Sequence, residues 1–456
     1  MTELLPSDRQ VATGSDREVH TLDHWRLLLA RSPSTIECGS MRLVGRDHEG
    51  AIFSGPGRIE IRGDTDIRFY LYGTTEDESA AFRKLKAAQD NPYDVLQQFR
   101  LFATDYTGTE WAGGWTDVNF FTDHTSGWPL TGELRGLSTR ASGVWVSKTS
   151  SVELLLIPPV SLPMSEVMTS TSRIGDETVQ ASYSRGRHAI EVLGTKVVFA
   201  NEPSDEALWI TAETSDQLKH PFAERWLCEP LRILLGAPIY PRLTARNFGD
   251  GTAFVTLLPA PNSRRPSAFG LMHPHGTTPG HGAAFWKLYA DILAMIARAR
   301  TPEGHEIMDG HEITRFYEEF FEAERGSRWV MLLTLASTTE ALAKSLMDDS
   351  DRRSEFSDQV LASMERHIKG WTEDMALRSR ILNGLAQARE RSVFAFLRDL
   401  ATKGIIPNHC ETWRRIRNSV MHGELVEPWS TQEGDGHLRE MIALVHALTR
   451  ARIAKG

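Results

Sequence analysis

The chain has 456 residues, too many for one ordinary hydrophobic core, so two or three domains are expected. A hydrophobic share of 41% and a charged share of 24% are those of a globular protein in water. A net charge of −9 excludes a chain coated throughout by nucleic acid, though not a local basic cleft. The stretch after Glu312 is near neutral, which leaves the acid excess upstream, on the part least suited to RNA. Cys38, Cys228 and Cys410 are far apart and odd in number, giving neither a disulfide framework nor a zinc-finger spacing. Met1–Gln10 is polar and acidic, unlike a signal peptide, and runs such as Trp329–Leu333 fall short of the ~20 apolar residues that span a bilayer. A cytoplasmic protein with no membrane partner is expected.

Up to about Arg17 the chain reads as a loose tail. From Thr35 to about Phe199 the hydrophobic period is mostly two: Arg58–Arg62 alternates strictly, and Ile67–Tyr72 follows the turn at Gly63-Asp64. Gly55-Pro56-Gly57 reads as a further turn. Later strand candidates are Val118–Phe121, Gly132–Leu137, Gly143–Val146, Val152–Ile157, Val179–Tyr183, His188–Val192 and Lys196–Phe199. Short strands with Gly, Pro and Ser-rich gaps predict an antiparallel sandwich or open barrel over residues 1–200. One helix, Ser79–Phe102, interrupts it. Trp111, Trp115, Trp128 and Trp145 cluster here, as core filling or as an aromatic recognition surface.

Residues 201–311 read as a mainly helical connector. Pro221–Leu235 has Trp226, Leu227, Leu231 and Leu234 inward, and a second helix carries Phe285, Leu288, Tyr289, Ile292 and Ile296. Between them runs a Gly/Pro/His-rich loop, Asn262–Gly282. From Glu312 the helical signal is strong. Ile313, Phe316, Tyr317, Phe320 and Phe321 follow the i, i+3, i+4 rule, and Ser327 is placed to cap a helix over Arg328–Met347. Further helices are expected over Ser354–Lys369, Glu373–Ala401, Glu411–His422 and Leu438–Ala454. The fold class is therefore α+β: a β-rich N-terminal part and a five- or six-helix bundle over 312–456.

Within that bundle, Arg417-Asn418-Ser419-Val420-Met421-His422-Gly423 places a guanidinium, an amide and an imidazole on one short helix closed by glycine. Trp413, Ile416 and Val420 mark its core stripe, while Asn418 and His422, with Arg414 a turn earlier, share the polar side. Arg417 lies on the flank of the stripe, where a cation needs a partner. Gly423 reads as the C-terminal cap, with Pro428 following, which puts His422 at the negative end of the helix. In Arg328–Met347, Trp329, Leu333, Ala336, Ala343 and Met347 share a face, and Glu340 falls within roughly 40° of its middle. A carboxylate there needs a cation, and Arg417 is the candidate.

The pattern Arg-Asn-x-x-x-His resembles the signature of the HEPN superfamily, all-α domains that often act as metal-independent ribonucleases. The motif has only three fixed residue types, and the resemblance is confined to the bundle, whose size and class agree with it. An acidic or polar residue on an early helix often holds the motif arginine in this superfamily, which matches Glu340 as placed on the wheel. The resemblance implies Arg417, Asn418, His422 and Glu340 as the catalytic set, a site formed across a homodimer or higher homo-oligomer, RNA as substrate, and no cofactor or divalent ion. Arg414 and Arg415 are candidates for flanking phosphates, as are Arg378, Arg380, Arg389 and Arg391, though solvated charge is their ordinary role. A strand-rich part followed by such a bundle is similar in layout to bacterial anti-phage abortive-infection effectors. That layout implies a sensor domain for a phage-derived trigger and a target such as tRNA.

Two other readings compete. His273, His275 and His281 are close enough in sequence to offer imidazoles to zinc, in a loop without cysteines. Alternatively the bundle is a non-catalytic nucleotide- or protein-binding module, with a β-rich part that recognises a partner. Neither a phosphate-binding Gly-x-x-x-x-Gly-Lys loop nor a Gly-x-Ser-x-Gly elbow occurs.

Overall fold

The computed structural model describes residues 20–29, 33–46, 50–63, 65–120, 127–165, 167–174, 177–184, 186–202, 206–260, 267–308, 310–354, 356–424 and 426–455. The expected tail, Phe121 and positions 262–266 of the histidine loop lie outside them. In chain order the first elements are α1 (Thr21–Leu29), β1 (Ser34–Gly45), β2 (Phe53–Arg62), β3 (Asp66–Gly73), α2 (Glu78–Asp90), β4 (Phe99–Asp105), β5 (Glu110–Thr116), β6 (Asn119–Phe120), β7 (Trp128–Glu133), β8 (Leu137–Ser142) and β9 (Ser150–Leu156). There follow β10 (Val167–Ile174), β11 (Glu177–Ser184), β12 (Arg187–Val192), β13 (Thr195–Glu202), β14 (Ala207–Glu213), α3 (Ala223–Trp226), α4 (Glu229–Leu235), β15 (Leu243–Phe248), β16 (Thr252–Leu257) and α5 (His281–Arg298). The last are α6 (Glu312–Glu324), α7 (Arg328–Leu346), α8 (Asp358–Lys369), α9 (Met375–Gln387), α10 (Val393–Thr402), α11 (Cys410–Met421) and α12 (Gln432–Lys455). This is an α+β architecture, an antiparallel sheet followed by helices.

The chain divides into two compact units, one of Met1–Leu155 with Thr211–Glu213 and Arg242–Ala260, the other of Leu156–Ile210, Thr214–Pro241 and Pro261–Gly456. In the first, strands pair antiparallel in the order β9-β15-β16-β8-β5-β4-β1-β2-β3-β7-β6. Alternation decides which side is covered: Met41, Leu43, Ile59, Ile61, Phe69, Leu71 and Leu101 are buried, and their neighbours face out.

Several expected boundaries differ here. The helix expected over Ser79–Phe102 stops at Asp90, because Asn91 precedes Pro92, and Phe99 and Phe102 belong to β4. Gly55-Pro56-Gly57 is part of β2, opposite the register shift between Cys38 and Met41. A proline is tolerated at such a bulge. The flanking glycines are required there, since a Cβ on either would sit 2.0–2.1 Å from the carbonyl oxygens of Tyr72 and Tyr70. Gly143–Val146 is a turn, and Gly132–Leu137 spans the link from β7 to β8. Trp111 is buried edge-on to Trp25 at 5.5 Å, and Trp145 stacks on His24 at 4.2 Å, whereas Trp128 packs on Phe53 at 5.8 Å.

The stretch 201–311 is not mainly helical: it holds β14, β15 and β16, whose Leu243–Phe248 and Thr252–Leu257 alternate as strands do. The helix expected over Pro221–Leu235 is broken into α3 and α4 at Leu227-Cys228, and Gly236, at φ 57°, ends the second. The expected single helix Glu373–Ala401 is likewise two, α9 and α10, the second started by Ser392 Oγ accepting from the Ala395 amide.

In the second unit α7 packs against α6, α10, α11 and α12. Its buried residues Leu332, Leu335, Ala336, Thr338, Thr339, Leu342, Ala343 and Leu346 form one broad face of about 160° at 100° per residue. Ser327 caps it as expected, its Oγ accepting from the Val330 amide at 3.3 Å. α6 begins at His311, whose Nδ1 accepts from the Ile313 amide at 3.2 Å while its own amide donates to Glu229 Oε2 at 2.9 Å. Burial, with the nearby Arg452 charge, pushes the His311 imidazole down to about 4 from 6.5. A depressed pKa means neutral His311 stabilises the fold fully above pH 6.5, and that contribution is lost as pH falls through 4. The full chain should therefore lose roughly 3 kcal/mol over that range, at ~1.4 kcal/mol per pH unit. His311→Asn, which keeps a capping acceptor that cannot protonate, should flatten this limb of the thermal-midpoint profile against pH; an unchanged limb assigns it elsewhere.

Candidate active site

The motif lies on α11, held to α7 by two bonds. The Trp413 indole N–H donates to the Ala336 carbonyl at 3.0 Å, and Arg417 Nε donates to Glu340 Oε2 at 2.9 Å. Both helices advance four residues, about 6 Å, between these bonds, so at this contact they run in the same direction. Cys410, Trp413, Ile416 and Val420 are buried beneath, as the spacing predicts.

Glu340 sits at the border of the buried arc, its side chain 23% exposed, rather than in the middle of a buried stripe. The wheel misplaced it because α7 buries Leu332, Leu335, Thr339, Leu342 and Leu346 as well, while Trp329 and Leu333 are only half-buried. Its second oxygen accepts from Lys344 Nζ at 2.8 Å. Desolvation would raise the Glu340 carboxyl, but hydrogen bonds from Lys344 and Arg417 outweigh it, and the group sits below its ordinary value. Lys344 is the i,i+4 neighbour of Glu340, a spacing at which helical charges of opposite sign meet. Among the described residues Arg417 uses Nε alone, so its two terminal nitrogens are open to a ligand.

Asn418 and His422 are exposed on the opposite side of α11 from the core stripe. His422 is the capping residue, its amide donating to the Asn418 carbonyl at 3.1 Å. Gly423, at φ 79°, lets the chain reverse, so the Gly423 amide reaches Val420 O at 3.2 Å and the Glu424 amide reaches Ser419 O at 3.0 Å. This paired closure is the Schellman arrangement. Ser419 Oγ also donates to Glu424 at 2.7 Å, fixing the segment just past the imidazole.

Of the candidate flanking cations all but Arg380 are engaged among the described residues. Arg414 pairs with Glu411 at 2.6 Å and lies 4.5 Å over the Phe394 ring, and Arg415 contacts His437 and Glu433. Arg389 pairs with Glu365, Arg391 with Asp399 at 2.8 Å, and Arg378 with the carbonyls of Lys369 and Trp371. The three loop histidines do not converge: His281 Nε2 meets the His273 carbonyl at 2.7 Å, and His275 Nε2 meets Ser161 Oγ at 2.6 Å. Among the described residues no three His, Cys, Asp or Glu side chains group as metal ligands. No family model matches the chain, and no curated protein or solved structure is similar to it.

The low carboxyl pKa gives a test of the clasp. Glu340 stabilises the bundle above pH 4.5 and ceases to as pH falls through its lowered value. With the group partly exposed the effect is about 1 kcal/mol or less. Glu340→Gln should lower the unfolding midpoint slightly at pH 7 and converge with wild type once the pH has fallen through the lowered carboxyl value; curves that stay equally separated would place the loss elsewhere.

Proposed function

We propose that this chain is an endoribonuclease whose site is built from Arg417, Asn418 and His422, with Glu340 as the residue that positions Arg417. The observation that carries this reading is the Glu340–Arg417 pair, which presents an oriented guanidinium with two open nitrogens on the same short helix as an exposed amide and imidazole. A planar guanidinium with parallel donors matches two phosphate oxygens. Lys344, on the same carboxylate, adds a second cation close by.

Cleavage without a metal needs three events. The ribose 2′-OH loses its proton to a base, its oxygen attacks phosphorus, and the leaving 5′-oxygen takes a proton from an acid. Guanidiniums stabilise the charge that builds on the phosphate between these steps. The products are a 2′,3′-cyclic phosphate and a 5′-hydroxyl. One motif supplies one imidazole, and Arg417 and His422, five apart, point roughly 140° from each other. A second copy across a two-fold axis supplies the missing acid or base. Met421, within the motif, and Trp429, seven residues after His422 in sequence, are 59% and 62% exposed, apolar surface that such an association could draw on. A structured RNA such as tRNA as target, and anti-phage defence with a phage-derived trigger acting on the β-rich part, rest on the similarity of layout alone.

One observation favours a second reading, a non-catalytic module in which Arg417 holds a ligand phosphate. Among the described residues no side chain hydrogen-bonds the His422 imidazole, whereas a catalytic base is usually oriented by a third group. Wild type and His422→Ala should be compared on RNA in vitro, with and without chelator, and in cells with and without phage. We expect cleavage by wild type that chelator leaves intact, cyclic-phosphate ends, and a loss of at least ~100-fold in the variant. Equal RNA integrity under all conditions overturns the nuclease in favour of the binding module; cleavage abolished by chelator overturns metal independence.

A further inference from the structure

The outward face of the first unit's sheet carries a shallow groove of about 230 Å³, independent of the α11 motif. Its two ends are alike. At one, Arg42 is paired in register with Phe102 and lies 6.0 Å from the ring centroid, with Arg100 5.0 Å from the same ring. At the other, Arg140 is in register with Phe254, which is in register with Arg246, 5.9 Å from that ring. Between them the floor is small and polar: Ala112 opposite Ser138, with Thr104 and Glu110 beside.

An exposed sheet face ordinarily shows polar groups whose charges are matched. Here Phe254 is 37% exposed, and neither Arg42 nor Arg140 has an ion-pair partner among the described residues, although Arg140 feels the Asp250 charge. Two rings flanked by guanidiniums suit bases that stack and phosphates that pair. The rings sit on β4 and β16 with β5 and β8 between, three strand spacings or about 14 Å apart. A mononucleotide cannot cover both; a chain of several nucleotides can. The hydroxyls of Ser138 and Thr104 on the floor can bond a ribose 2′-OH, which distinguishes RNA from DNA.

We infer that this groove, bounded by Arg42–Phe102 and Arg140–Phe254, binds an extended single-stranded segment of RNA without strong sequence preference. The test uses the full chain with His422→Ala, so that binding is read whether or not the protein cleaves, and a labelled 12-nucleotide RNA followed by fluorescence anisotropy. Combining Arg42→Glu with Arg140→Glu should weaken binding at least tenfold. It should also flatten the dependence of log affinity on log salt by about 1.4, two phosphates at ~0.7 each. Phe102→Ala should cost about fivefold or more, and Arg42→Lys with Arg140→Lys should retain most of the affinity, with circular dichroism confirming each fold. Unchanged affinity in the charge-reversal variant overturns the inference. So does equal competition by a mononucleotide, by polyglutamate or by DNA of the same sequence. Cleavage measured on otherwise wild-type protein fails or succeeds separately, so loss of either reading is visible without the other.

Discussion

Everything in the candidate site depends on one contact, the clasp between α7 and α11. Its apolar half is Trp413 seated on α7 with its N–H satisfied by a carbonyl, and its polar half, one turn on, is the Glu340 carboxylate meeting Arg417. The order matters physically. Trp413 removes water from one side of the ion pair, while the other side stays open, so the pair is neither fully desolvated nor fully screened. A guanidinium held by Nε in that setting keeps its orientation and leaves its fork free. Arginine on the edge of a buried stripe is in this sense a way to pair a cation through Nε while its terminal nitrogens still face outward.

The same economy of partners recurs beneath α6. Glu229, fully buried, accepts from the His311 amide and from Thr314 Oγ, and the helix end that results is capped by an imidazole that must stay neutral. Both places put ionisable groups where the fold needs one protonation state, and they lie on successive helices of one bundle. Each ties the stability expected of the bundle in acid to an identified side chain.

How much of this was legible beforehand follows from what determined each element. Helices with a cap and a clean stripe were readable: Ser327 for α7, and Trp413, Ile416 and Val420 for α11. The partner of Arg417 was readable because a charged residue near an apolar face is costly alone. Its depth was not, since Trp329 and Leu333 pull the expected face toward Glu340, whereas the buried face of α7 is centred on Leu335, Thr339 and Leu346. The strands β15 and β16 were missed because their period-two pattern is short and sits between helical stretches. The break between α9 and α10 was missed because the apolar period continues across it, while Ser392 restarts the helix. Asn91-Pro92, by contrast, was a plain stop signal ahead of β4 that the run of apolar residues overrode. The groove on the sheet depends on which residues five neighbouring strands bring into register, information that no single segment carries.

The placement of β15 and β16 has a consequence for how this chain can be dissected. They are supplied from residues 242–260, yet stand in the pairing order between β9 and β8. A fragment ended near residue 200 would therefore lack the hairpin that joins β9 to the rest of its sheet, with β9 and β8 left about 14 Å apart. The first unit is sewn shut by a later passage of the chain, so its completion awaits synthesis of Arg242–Ala260. Excising either half as a contiguous piece would tear that seam.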